Sequence, residues 1–127
     1  MKILITLLIT VVFAGCTSNT KNEITGKWLM YKVIRDGENV TSEPDPYNER
    51  FLILKSDGSF ESGGRPFGEN TGKYVFNPAD HTLFLDSDAG PEDDSRWIVT
   101  IRGDTMHWQG YGSEWAKGFE LIHLRGK

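Results

Sequence analysis

Three histidines, one cysteine and eighteen acidic side chains are the groups in this chain that could carry chemistry, and their placement decides how much of it is feasible. His81 falls in a turn, His107 on the polar side of a strand and His123 near a strand end, so they do not converge. A lone cysteine offers no second sulfur for a zinc-type ligand set. Asp86-Ser87-Asp88-Ala89-Gly90 has the opening of a calcium loop, but Trp97 stands where the twelfth-position bidentate Glu belongs. No Gly-x-Ser-x-Gly turn, phosphate loop or His-Glu-x-x-His helix occurs. The carboxylates lie in loop stretches with no apolar pocket in view to raise a pKa, so a hydrolytic acid/base pair has no support. These residues point away from an enzyme and imply neither metal nor cofactor. What remains is recognition. Aromatic residues in the long loops (Tyr47, Phe67, Tyr111, Trp115), with Met30, Tyr74, Trp97 and Trp108 in the apolar segments, would suit a small hydrophobic or amphipathic ligand.

The elements that must position these groups read as strands. Short runs rich in aromatic and β-branched residues alternate with Gly, Asp, Asn and Pro clusters, and none has a helical stripe. Eight segments emerge: Gly26–Arg35, Glu49–Lys55, Ser59–Ser62, Gly72–Phe76, Thr82–Asp86, Arg96–Arg102, Thr105–Gln109 and Gly118–Arg125. An even set of consecutive antiparallel strands predicts an all-β, up-and-down barrel. Ser56-Asp57-Gly58, Asn77–His81 and Gly103-Asp104 form tight hairpins. The other connections are long, so the barrel should have a closed end of short turns and an open end of loops. Asp36–Asn48 is long enough to fold over that mouth.

Pairing apolar with apolar across each hairpin fixes the register. Ile101 then faces Met106, Val99 faces Trp108, Leu54 faces Phe60, Phe76 faces Leu83 and Tyr74 faces Leu85. Trp28, Met30 and Ile34 join this inward set from the first segment, with Leu52, Phe119 and Leu121. Phe51, Ile53, Phe84, Ile98, Ile122 and Leu124 point outward. The inward residues are large, which predicts a small or largely filled interior.

The N-terminal stretch stands apart. Met1-Lys2, the apolar run Ile3–Phe13 and the small pair Ala14-Gly15 have the layout of a secretory signal peptide over residues 1–15. Cys16 follows directly, and the run is too short to span a bilayer, which takes ~20 residues. Phe13-Ala14-Gly15-Cys16 resembles a bacterial lipobox, with Phe13 in place of the usual Leu. The resemblance implies that Cys16 is acylated, holds the protein to the lipid bilayer and starts a polar tether (residues 16–23) ahead of the barrel domain at 24–127. Thr17 after the cysteine, rather than Asp, implies the outer membrane of the cell envelope. The chain has 14 basic and 18 acidic residues, a net charge of −4, which argues against a nucleic-acid partner.

Ile24-Thr25-Gly26-Lys27-Trp28, followed by Asp57-Gly58-Ser59-Phe60, Gly72-Lys73-Tyr74 and the basic strand end at Arg125, resembles the small bacterial lipocalin-like lipoproteins. The likeness covers nearly all of the chain after Cys16. It implies a lipocalin-like barrel in which Trp28 sits at the closed base under Arg125, as a structural contact, and the interior and mouth bind a small hydrophobic or amphipathic ligand. The alternative is an envelope protein-interaction or structural module with a side-chain-filled barrel.

Overall fold

The computed structural model describes residues 23–126. The expected signal peptide, Cys16 and most of the tether lie outside the described residues. The strands are β1 (Gly26–Arg35), β2 (Glu38–Asn39), β3 (Phe51–Leu54), β4 (Ser59–Gly63), β5 (Asn70–Asn77), β6 (Thr82–Ser87), β7 (Ser95–Arg102), β8 (Thr105–Tyr111) and β9 (Phe119–Arg125). Each long strand pairs antiparallel with its sequence neighbour, and β1 also pairs with β9. That last pairing closes an eight-stranded barrel, which leaves no long unpaired edge.

The hairpins have the register that their turn residues demand. Ile101 lies opposite Met106 and Val99 opposite Trp108, Leu54 opposite Phe60, Phe76 opposite Leu83 and Tyr74 opposite Leu85. A bulge departs from simple alternation. The β1–β9 register shifts between Met30 and Lys32, which reverses the facing of everything after it. Val33 is therefore buried and opposite Leu121, while Ile34, expected to point inward, is only half-buried opposite Glu120.

β2 is a two-residue flap rather than a ninth wall strand. Asp36 and Gly37 both have positive φ, 51° and 84°, the backbone of a two-residue hairpin whose twist suits the flanking strands. Asn39 and Glu38 thus fold back on Ile34 and Arg35. The Thr41 hydroxyl accepts the Val33 N–H at 3.0 Å and extends this pairing. Asp45, itself buried, then ends the loop by accepting the Glu49 and Arg50 amides at 2.8 and 3.0 Å.

Side chains fill the short-turn half of the barrel. Trp28, Leu54, Leu83, Val99 and Met106 are all at most 1% exposed. Trp28 Nε1 donates to the Ile24 carbonyl at 2.8 Å, so its one polar atom is satisfied within the base. The Arg125 guanidinium lies 4.1 Å from the centre of the Trp28 ring and donates to the carbonyls of Thr25 and Glu23. Gly26, at φ 125°, brings the chain close under that guanidinium; a Cβ there would sit 3.0 Å from Arg125 Nη1. Of the six apolar residues assigned to the outer surface, Ile98 and Leu124 are exposed. Phe51 and Phe84 are half-buried, with Lys27 and Arg96 cations over their rings at 5.2 and 4.9 Å. Long charged side chains commonly cover outer apolar surface in this way.

Candidate ligand-binding cavity

The filling stops about halfway up. Above the base residues a cavity of about 300 Å³ occupies the long-loop half of the barrel. That is the lower end of the size range of small-molecule sites. The interior is thus filled at the base and hollow above it, where the large inward side chains of opposing strands do not meet.

Three tiers of side chain line the cavity. Its floor is Met30 on β1 and His123 on β9, which are cross-strand partners. Its wall is apolar and aromatic: Val33, Leu52, Phe60, Leu85, Trp97, Trp108, Phe119 and Leu121. The rings run in series, with His123 and Trp108 4.7 Å apart between centroids, Trp108 and Trp97 5.3 Å, and Trp97 and Trp115 6.0 Å. Such tilted and edge-on spacings are favourable aromatic contacts.

The rim is polar and comes from the strand ends: Arg50 before β3, Ser62 on β4, Asn70 on β5, Ser87 on β6 and Ser95 on β7, with Asp93 from the 3-10 turn Pro91–Asp93. Much of this collar is already hydrogen-bonded. The Asn70 amide nitrogen reaches Ser87 Oγ at 3.0 Å and Asp93 Oδ2 at 2.9 Å, and Trp97 Nε1 donates to Ser95 Oγ at 2.8 Å. Arg50 is the cation of the rim. Nη1 donates to the carbonyls of Gly64 and Phe67, and burial lowers its pKa while Asp45 opposes that shift. An arginine so placed stays charged, since a guanidinium is not deprotonated in proteins.

Two loops close over the sides. Pro44, from the loop after β2, reaches the cavity rim. That loop is tied to the β4–β5 loop through Arg65, whose guanidinium lies 4.3 Å from the Tyr47 ring centre and donates from Nε to Glu49 at 3.0 Å. The hydrogen bond to Arg65 holds the Glu49 carboxyl below its usual pKa. Trp115, half exposed, packs over Trp97 and Phe119 at the opposite side of the mouth.

Of the residues singled out for ligand binding, Met30, Trp97, Trp108 and Trp115 line the cavity, and Tyr47, Phe67, Tyr74 and Tyr111 do not. Tyr47 and Phe67 are exposed on the loops beneath Arg65 and Arg50. Tyr74 lies toward the short-turn end, where its hydroxyl donates to the Lys55 carbonyl at 2.6 Å; burial raises its pKa. Tyr111 pairs with exposed Arg96 on the outer face of the sheet.

His123, Arg50 and the collar hydroxyls lie outside that set. Each lies two residues along its strand from an apolar residue that was placed inward: His123 from Leu121, Arg50 from Leu52, Ser62 from Phe60, Ser95 from Trp97, Ser87 from Leu85. Period-two alternation would have found them had it been applied to polar residues as well.

The fold and cavity define a closed antiparallel β-barrel with one hollow end. Comparison with protein-family models and with curated proteins finds no match. Among solved structures, the chain is similar to a DUF4847 family protein from Bacteroides vulgatus, with a TM-score of 0.59 over 84% of this chain and 97% of that one, at 12% identity. At that identity the likeness is one of fold.

Proposed function

We propose that this protein is a lipocalin-like lipoprotein that binds a small hydrophobic or amphipathic ligand without transforming it. The observation that carries this reading is the cavity of about 300 Å³, apolar in its walls and polar at its rim. Such a site favours a ligand that buries an apolar body against the walls and meets polar groups only at the floor or the rim. Native mass spectrometry of the purified protein, with displacement of an environment-sensitive apolar dye, tests it. A co-purifying small molecule, or dye that Trp97→Ala weakens, supports the reading. No bound molecule and no dye uptake would favour the alternative, a protein-interaction module of the envelope.

Anchoring belongs to the same proposal and rests on the sequence alone. Acylation at Cys16 would tether the domain at the outer membrane, and stable anchoring takes more than one acyl chain. The expected result for Cys16→Ser is loss of the protein from the membrane fraction. An unchanged membrane fraction would remove the lipid anchor from the proposal.

A further inference from the structure

The floor of the cavity lacks a hydrogen-bond partner. His123 is 3% exposed and lines the cavity with no hydrogen bond from its ring; Nδ1 is wholly occluded, which leaves Nε2 as the nitrogen that can meet the cavity. On the ring packed against it, Trp108 Nε1 is also buried and unpaired. Buried polar atoms normally find partners, and exceptions mark places where something else completes the bonding. None of the groups that flank His123 bonds to it: Met30 and Met106 are its cross-strand neighbours, and Trp108 packs on its face without a hydrogen bond.

The shape and size of the space narrow what could complete it. A cavity of about 300 Å³, at the lower end for small-molecule sites, suits a compact ligand better than a long acyl chain with its headgroup. Its wall is a run of rings from His123 through Trp108 and Trp97 to Trp115. Flat rings stack or abut on such a wall in ways that a flexible chain cannot. A neutral imidazole always keeps one bare nitrogen, so it can accept a hydrogen bond.

We infer that the cavity selects a planar aromatic molecule of phenol or indole size bearing one O–H or N–H, which the His123 imidazole accepts. This deepens the ligand-binding reading and rests on it. Burial lowers the His123 pKa to about 3, so the imidazole is an acceptor throughout the neutral range. The aromatic walls hold the ring, and the floor distinguishes a donor from its alkylated counterpart.

Calorimetric titration of the purified full chain with phenol, anisole, indole, 1-methylindole, cyclohexanol and dodecanoate separates the claims. Phenol and indole should bind, with their methylated forms and cyclohexanol about tenfold weaker or worse, the usual scale for one buried neutral hydrogen bond or ring contact. His123→Leu should bring phenol and anisole to the same affinity. That variant is to be compared only if its thermal transition stays cooperative; the wild-type comparison needs no variant. Equal binding of phenol and anisole to the wild type would overturn donor recognition, and equal binding of cyclohexanol would overturn ring selection. Binding of dodecanoate alone would overturn the inference and leave the ligand-binding reading standing. Failure of every probe would remove both.

Discussion

Trp28→Ala should lower the free energy of unfolding by about 3–5 kcal/mol, the range for deleting a large aromatic side chain from a packed core. Trp28 has no exposed surface and belongs to the contiguous core cluster with Ile24, Leu52, Leu54 and Met106. Its loss leaves the Ile24 carbonyl without the indole N–H at 2.8 Å and leaves Arg125 without the ring it covers at 4.1 Å. A cation over an indole adds ~0.5–2 kcal/mol, depending on how far it is desolvated. Arg125→Met should therefore cost less than Trp28→Ala, since it keeps the stem over the ring and gives up the two carbonyl contacts. Leu29→Ala is the control on the same strand: 43% exposed, it should cost well under half as much. Urea denaturation with unchanged slope is the measurement. A loss below about 1 kcal/mol for Trp28→Ala would mean that the base can collapse and that the indole is not central to it.

The barrel was legible because its hairpins announce themselves. Gly103-Asp104 sits between two alternating runs, and with a two-residue turn only one register puts Ile101 and Val99 opposite Met106 and Trp108. The same holds where Ser56-Asp57-Gly58 sets Leu54 against Phe60. The bulge at Tyr31 was not legible. Both Val33 and Ile34 are β-branched and apolar, so composition gives no preference, and the choice is made by the closing pair between β1 and β9. The β2 flap has a signal in Asp36-Gly37, a favoured two-residue hairpin pair, but its returning strand of two residues is too short to stand out from the long loop.

The cavity was less legible than the wall for a related reason. An inward set built from apolar residues describes what packs, while a site is made where packing stops. Large inward residues suggested a filled interior, but side-chain size says nothing about how far opposite walls stand apart once the barrel closes. Leu52 and Phe60 line the hollow as much as the core, and the polar residues next inward on their strands, Arg50 and Ser62, mark where the core ends and the rim begins. On β9 the same step runs from Leu121 to His123, so a polar side chain lies deep while apolar Ile122 and Leu124 face out. No residue type betrays that inversion; only the facing of Phe119 and Leu121 does.

That buried imidazole gives the second large effect, a loss of stability in mild acid. Burial alone lowers the His123 pKa from 6.5 to about 3, and no neighbouring charge contributes. The charged groups that line the same cavity, Arg50 and Asp93, belong to the rim and not the floor. Above pH 6.5 the imidazole is neutral folded or unfolded, so it adds no pH dependence. Between 6.5 and about 3 the unfolded chain holds one more proton than the folded one, and stability falls as pH falls. The slope is ~1.4 kcal/mol per pH unit, or about 2 kcal/mol lost by pH 5. The lowered carboxyls of Glu49 and Asp57 act in the same direction, but only below their ordinary values of 4.5 and 3.8, and comparison with His123→Leu separates this histidine from His81 and from His107 beside Glu120. Urea unfolding of the wild type and of His123→Leu at pH 7.5, 6.5, 5.5 and 5.0 reads this directly. The variant should gain on the wild type steadily below pH 6.5, whatever its stability at pH 7.5. Parallel curves for the two proteins would show that His123 takes up its proton in the folded state, with water or another group reaching it in the cavity floor.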